Sequence, residues 1–207
     1  MGSLDIVIMK SLPSFRYLNE AIKCNCFSDL MKNRMLPNAK EVSESFAAYA
    51  AVRKHLSDII PFNEPALLIA VGDGSTPRTA ATFAFRSAWT CLSVDPRLRQ
   101  REWPIKRLQC LSKRIEDTTR CHVPRAIIVA VHSHAPLRLA IEKVSADILG
   151  IVAIPCCKKQ IVPGIEPNIE YDDLGIMSPK RTVKVWRIAK RVPYTHALTA
   201  PSTHSII

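Results

Sequence analysis

The sequence predicts an α/β fold in which a mostly parallel sheet lies between two layers of helices. From residue 65 onward, short apolar runs alternate with segments of helical periodicity. The runs are almost continuously apolar, which is typical of parallel strands that are buried on both faces. Residues 182–188 instead alternate between apolar and polar residues, as an antiparallel or edge strand does. We therefore expect a three-layer α/β/α sandwich with an antiparallel last strand.

The helices and strands can be predicted in chain order. Residues 15–35 can be helical, and Asn38 with Glu41 gives a capping-box-like start to a helix that Pro61 and Pro65 end. Helical periodicity and alanine content predict further helices over 77–88 and 137–144. Strands are predicted over 66–71, 89–94, 107–111, 126–131, 148–154 and 182–188.

The predicted elements divide the chain into three parts. Residues 1–60 form an N-terminal helical extension, residues 61–191 form the sheet domain, and residues 192–207 form a tail without a core-forming pattern. A chain of 207 residues with 47% hydrophobic residues is long enough to bury a substantial core.

The charge of the chain favours a polyanionic partner. The formal net charge is +11, and the basic residues cluster in two segments, 97–107 and 180–191. Clustered cations release condensed counterions from nucleic acid on binding, so nucleic acid, with RNA favoured, is the first candidate partner. A protein partner and an ordinary solvated surface are the alternatives. The basic residues are Arg97, Arg99, Arg101, Lys106 and Arg107, then Lys180, Arg181, Lys184, Arg187, Lys190 and Arg191.

The seven cysteines and the hydropathy pattern indicate a reducing compartment. The number is odd and several cysteines lie in apolar runs, which favours reduced thiols over a disulfide framework. No apolar run reaches the roughly 18 residues of a membrane span, and the first residues lack a signal-peptide pattern. We expect a cytoplasmic or nuclear protein with no membrane segment.

A glycine turn follows the first predicted strand. Gly72 and Gly74 end the apolar run, and Ser75 to Pro77 provide a helix start with a hydroxyl as the expected cap. A strand, a glycine turn and a helix N-terminus together bring backbone close to a nucleotide-like ligand. Asp95 ends the next strand 23 residues after Gly72, where such folds hold ribose hydroxyls.

Polar residues also follow the later strands. Glu116 and Asp117 follow the third strand, and the fourth is followed by the sequence His132-Ser133-His134. Cys156 and Cys157 follow the fifth. Because ligands of such sheets bind beyond the carboxyl ends of the strands, these residues should border one pocket.

This pattern resembles the class I S-adenosylmethionine-dependent methyltransferases, a Rossmann-like family, over about residues 61–191. The resemblance implies that Gly72, Asp73, Gly74 and Ser75 surround the methionine part of the cofactor. It further implies that Asp95 binds the ribose and that Asp117 or Glu116 lies near the adenine amine. The Val-His-Ser-His and Ile-Pro-Cys-Cys segments resemble methyltransferase-like domains with a His-Ala-Cys motif and a Pro-Cys-Cys motif. The third glycine of the family is missing, since Thr76 stands about there, and the connection between strands three and four has almost no room for a helix.

The candidate catalytic residues are His132 and His134, because a histidine can accept a proton near neutral pH. Hydrogen bonding within a polar loop is the alternative role for both. Arg78, Cys156 and Cys157 are candidate substrate-binding residues, although Arg78 can equally face solvent. No metal is expected, since adjacent cysteines seldom both reach one ion.

Other nucleotide-binding classes fit the sequence less well. A nicotinamide-dependent dehydrogenase would need a glycine where Pro77 stands, and no Gly-Lys-Ser/Thr follows the strand as in a phosphate-binding P-loop. The sequence therefore predicts a methyltransferase that binds S-adenosylmethionine and acts on RNA or another nucleic acid. The alternative is an inactive methyltransferase-like module that binds RNA or a protein through its basic surface.

Overall fold

The computed structural model describes residues 14–99, 102–157 and 160–188. The predicted tail (192–207) and three of the basic residues, Arg101, Lys190 and Arg191, lie outside these ranges.

In the described residues a single sheet of seven strands forms the middle layer. Its order is β3-β2-β1-β4-β5-β7-β6. β7 runs antiparallel to both β5 and β6, and the other adjacent pairs are parallel. The predicted Rossmann-like sheet with an antiparallel last strand is thus confirmed. The strands are β1 (Leu67–Val71), β2 (Thr90–Val94), β3 (Leu108–Leu111), β4 (Cys121–Val131), β5 (Val144–Ile154), β6 (Ile169–Asp172) and β7 (Thr182–Ile188).

The described helices lie on both faces of the sheet. They are α1 (Arg16–Ile22), α2 (Phe27–Lys32), α3 (Ala39–His55), α4 (Arg78–Arg86) and α5 (Leu137–Lys143). The predicted cap of α3 is confirmed, since the Glu41 backbone N–H donates to Asn38 Oδ1 over 3.0 Å. The helix ends at His55, several residues before Pro61.

Two buried clusters show why the sheet needs helices on both faces. One cluster packs Phe46 of α3 and Phe83 of α4 against the sheet, and it extends to Tyr17 of α1. The other packs α5, through Leu137, against the opposite face with Trp186 of β7. The three-layer prediction is confirmed. The described helices of the N-terminal extension form part of one layer of the sandwich.

The sequence-based boundaries differ from the structure mainly in the second half of the chain. β4 and β5 begin five and four residues earlier than predicted, because residues 121–125 pair with 144–148. The side chains of residues 121–125 are exposed or only partly buried, whereas residues 144–146 are buried. β6 was not predicted. A single 3-10 turn, Ile115–Asp117, lies between β3 and β4, in agreement with the short connection expected there.

Candidate active site

The carboxyl ends of the parallel strands place the predicted site residues at one edge of the sheet. Gly72 follows β1, Asp95 follows β2 and His132 follows β4. These strands are consecutive in the sheet, with β1 between β2 and β4. β7 runs the other way, and its Lys184 pairs with Ala153 near the end of β5. The first residues of β7 therefore lie at this same edge.

The turn after β1 requires both of its glycines. Gly72 has φ +70° and Gly74 has φ +88°, in the left-handed region that side chains disfavour. A Cβ on Gly72 would collide with the side chain of Ser133, and a Cβ on Gly74 would lie 2.5 Å from Nη1 of Arg78. The two glycines thus allow close contact between the turn, the segment after β4 and helix α4.

Asp95 joins the end of β2 to this turn. Its Oδ2 accepts the backbone N–H of Gly74 over 2.9 Å, and its Oδ1 accepts the backbone N–H of Arg97 over 2.7 Å. The residue is only 3% exposed, and the Nε of Arg97 lies 3.4 Å from Oδ1. A carboxylate has about four acceptor positions, so these two backbone bonds leave capacity for two ligand hydroxyls.

Asp73 has a structural position in the same turn. Its carboxylate accepts the backbone N–H groups of Thr79 (2.9 Å) and Ala80 (3.1 Å) and the hydroxyl of Ser93 (3.0 Å). Burial raises the pKa of this carboxyl, against the lowering effect of the Arg78 charge. Asp73 therefore caps α4, whereas the expected hydroxyl cap is wrong, since Pro77 occupies the N-cap position.

Arg78 is turned toward the glycine turn and away from solvent. Its guanidinium lies over Gly74 and forms an ion pair with Glu41 in the first turn of α3. Its side chain is 14% exposed. The structure does not show the solvent-facing orientation that the sequence left open, and contact of Arg78 with a substrate stays a prediction.

His132 is held by a buried acid from α3. Its Nε2 lies 3.1 Å from Oε1 of Glu44, which is fully buried and also bonds to Lys40 over 3.0 Å. Burial alone would lower the pKa of His132, but the contact with Glu44 outweighs burial and raises it. Burial likewise opposes ionisation of Glu44, and its hydrogen bonds to His132 and Lys40 lower its pKa overall. An imidazole with a raised pKa is more often protonated, which suits an ion pair better than a general base.

His134 lies beside the two cysteines. Its Nε2 is 3.1 Å from Sγ of Cys157, whose sulfur is 3.6 Å from Sγ of Cys156. His134 and Cys157 are exposed, whereas Cys156 is half-buried and donates to the backbone carbonyl of His132 over 3.5 Å. Of the two candidate histidines, His134 is thus the more accessible to an acceptor.

Two predicted cofactor residues lie at the rim of the site. The backbone carbonyl of Ser75 accepts the N–H of Arg99 over 3.2 Å, which fixes the segment after β2 against the glycine turn. Asp117 ends the 3-10 turn after β3, and its side chain is exposed.

The basic residues divide between the two edges of the sheet. Arg97 and Arg99 follow β2 at the carboxyl edge, and both are exposed. Lys180 and Arg181 precede β7 at the same edge, where they line a cavity of about 320 Å³ with Cys156. Lys184 lines the same cavity but is paired there with Glu170. Arg187 pairs with Asp58, and Arg107 donates to the backbone carbonyl of Ala84.

Sequence reasoning did not identify the acidic residues of α3 as part of the site. Glu41 and Glu44 contact Arg78 and His132, which were both predicted site residues. A signal was present, because Glu44 stands among apolar helix positions and four residues after Lys40. Ser133, between the two candidate histidines, was not predicted as a site residue, yet its side chain fills the space beside Gly72.

The described strands form a Rossmann-like sheet with an antiparallel seventh strand and a glycine turn after β1. The sequence matches no protein-family model and no curated protein.

Solved structures with a similar fold include three whose sequences are 10–12% identical to this chain. One is a mutant of the nicotianamine synthase MtNAS (TM-score 0.45, 10% identity, covering 83% of this chain and 68% of that one). MtNAS in complex with MTA and tNA gives a TM-score of 0.41, with 10% identity and the same coverage. The third is phosphoethanolamine N-methyltransferase 1 from Haemonchus contortus with phosphoethanolamine and S-adenosylhomocysteine (TM-score 0.44, 12% identity, covering 86% of this chain). This chain spans about half (48%) of the N-methyltransferase chain. At this level of likeness the similarity concerns the fold alone.

No helix within the described ranges combines the length and the hydropathy that crossing a membrane requires.

Proposed function

We propose that this protein binds S-adenosylmethionine at the carboxyl edge of the sheet and methylates RNA. The proposal depends chiefly on the contact between Asp95 and Gly74, which joins the acidic residue at the end of β2 to the glycine turn after β1. In α/β folds these two features bind the ribose and the adjoining part of a nucleotide-like ligand.

The residues present fit such a cofactor. The carboxylate of Asp95 has acceptor positions for two ribose hydroxyls once the exposed side chain of Arg97 moves aside. The guanidinium of Arg78 over Gly74 offers a cation to a carboxylate, with Glu41 as its partner in the free protein. When bound, S-adenosylmethionine supplies a methyl group already activated on a sulfonium, so the protein contributes mainly positioning and desolvation.

The acceptor would approach from the side of His134. This histidine is exposed beside the cofactor edge and can take a proton from an acceptor that must lose one. His132, bound to the buried Glu44, would hold α3 against the site. RNA is favoured as the acceptor because Arg97, Arg99, Lys180 and Arg181 lie at this same edge.

Calorimetry with S-adenosylmethionine and S-adenosylhomocysteine tests the cofactor. The wild type should bind both, and Asp95→Asn should lose about 1.5–3 kcal/mol of binding free energy, the scale of hydrogen bonds to a charged group. Asp147→Asn is the control, because this exposed carboxylate lies on β5 toward the opposite end of the strand. Absence of cofactor binding to the wild type would contradict the proposal, and an unchanged affinity of Asp95→Asn would remove Asp95 from the site.

A transfer assay tests the acceptor. Labelled S-adenosylmethionine should transfer its methyl group to RNA, and not to DNA or protein fractions offered in the same way. Transfer to another fraction would keep the methyltransferase and contradict the RNA acceptor.

A second candidate is a non-catalytic module that binds RNA or protein through the same basic edge. One observation favours it: the carboxylate of Asp95 is almost completely covered and already bonded to two backbone N–H groups. Salt-dependent RNA binding without any cofactor binding would support this candidate over the methyltransferase.

A further inference from the structure

Three metal-ligating side chains converge beside the candidate active site. His134 Nε2, Cys156 Sγ and Cys157 Sγ all lie within 4.8 Å of one another. The convergence follows from the sheet, since Val131 at the end of β4 pairs with Ile154 at the end of β5. The short segments that follow these two residues therefore start side by side.

Two of the three distances between donor atoms are close to those of a tetrahedral site. With Zn–S near 2.3 Å and Zn–N near 2.0–2.1 Å, tetrahedral angles separate two sulfur ligands by about 3.8 Å and sulfur from nitrogen by about 3.6 Å. The observed separations are 3.6 Å between the two sulfurs and 3.1 Å between Cys157 Sγ and His134 Nε2. The third pair, His134 Nε2 and Cys156 Sγ, lies within 4.8 Å, and rotation of the exposed His134 and Cys157 side chains would bring the three donor atoms to one ion.

We propose that His134, Cys156 and Cys157 bind one Zn²⁺ ion with a fourth coordination position open. A donor set of two thiolates and one imidazole suits zinc. Two of the three residues are exposed, so the fourth position faces solvent, as in zinc sites that keep a place for water or substrate. The sequence predicted no metal because adjacent cysteines seldom share an ion, but at the bend after β5 the two sulfurs lie 3.6 Å apart.

This inference depends on the three donor atoms and not on the proposed methyltransferase activity. The two are nevertheless related, because a bound ion would use the Nε2 lone pair of His134. In the zinc-loaded protein His134 would therefore position the ion and would not act as a base.

The test is metal binding by the reduced full-length chain, measured with Co²⁺ and Zn²⁺ in a phosphine reductant. Co²⁺ should give thiolate charge-transfer absorption and the intense visible bands of a tetrahedral site, at one equivalent per chain, and Zn²⁺ should displace it. Cys157→Ser and His134→Ala should each lower Zn²⁺ affinity at least about tenfold. Zn²⁺ should also raise the thermal midpoint of the wild type more than that of either variant.

Matched controls come from the other end of the same strand. A cysteine and a histidine, Cys121 and His122, are also adjacent in sequence at the start of β4. Cys121→Ser and His122→Ala should leave Zn²⁺ affinity unchanged. The proposal is overturned if the wild type takes up no stoichiometric metal. It is equally overturned if Cys157→Ser binds Zn²⁺ as the wild type does, since the ligands would then be other thiols. Cofactor calorimetry on these same variants separates this result from the outcome for the proposed function.

Discussion

The Oε1 atom of Glu44 lies 3.1 Å from the Nε2 atom of His132, and this contact joins helix α3 to the end of strand β4. Glu44 is fully buried, and His132 has the left-handed φ of +46°. A charged residue is buried only when partners compensate its lost hydration, and here Lys40 and His132 do so. The described part of the N-terminal extension thus forms a wall of the candidate active site.

The first prediction is that Glu44→Gln destabilises the protein in a pH-dependent way. The pKa of Glu44 is lowered by its hydrogen bonds to His132 and Lys40, against the effect of burial. A lowered folded-state pKa stabilises the fold above the ordinary value of 4.5, and this stabilisation is lost as pH falls through the folded pKa. We expect Glu44→Gln to cost about 1–3 kcal/mol of unfolding free energy at pH 6. The difference from the wild type should shrink below about pH 4.

Denaturant unfolding at both pH values measures this difference. Glu142→Gln is the control, since Glu142 pairs with Arg138 at the surface of α5, where an ion pair contributes little. An equal cost of Glu44→Gln at both pH values would show that the charge of Glu44 has no part in stability.

The second prediction is that Asp73 stabilises the fold by capping helix α4. Asp73→Ala leaves the N–H groups of Thr79 and Ala80 without their acceptor, and we expect a loss of about 1–3 kcal/mol in unfolding free energy. The exposed Asp117 is the control, and Asp117→Ala should change stability by less than about 0.5 kcal/mol. Thermal or denaturant unfolding decides, and a stability of Asp73→Ala equal to that of wild type would exclude the capping role.

The third prediction concerns the glycine turn. A valine at position 74 must adopt a left-handed φ and displace the guanidinium of Arg78, so cofactor binding should be lost. Gly164→Val is a matched control: Gly164 has a similar φ of +73°, but nothing lies within 4 Å of its added Cβ. Both variants should lose about 1–2 kcal/mol of stability through backbone strain. Only Gly74→Val should also lose S-adenosylmethionine affinity, and retained affinity in that variant would indicate a purely structural glycine.

Much of the fold could be predicted because its strands are short, apolar and bounded by glycine or proline. The positions of β1 and β2 follow from such runs within one residue, and that of β7 follows from its alternation of apolar and polar residues. β6 could not be predicted in this way, since its four residues, Ile169–Asp172, are held mainly by pairing with β7. The early part of β4 was missed for a similar reason, because its side chains are exposed or only partly buried and Pro124 interrupts the pattern.

The candidate site was predictable only where it depends on the chain path. Parallel strands end at one edge, so the positions of Gly72, Asp95 and His132 at that edge follow from topology alone. Contacts between side chains distant in sequence could not be predicted. The contact between Glu44 and His132 is of this kind, because it depends on how α3 packs against the sheet.

The last prediction tests the basic edge. Arg97 and Arg99 are exposed beside Asp95, and we expect them to contact the phosphates of an RNA. Replacing both by glutamine should weaken RNA binding for all sequences and reduce the slope of log affinity against log salt by about 0.7 per lost phosphate contact.

Arg138→Gln is the control, because that arginine is exposed on α5 and paired with Glu142. His134→Ala should leave RNA affinity nearly unchanged and reduce methyl transfer only. A salt titration of RNA binding for wild type and variants measures the slopes. A wild-type affinity that does not depend on salt would contradict phosphate binding at this edge and leave the net charge of +11 as an ordinary solvated surface.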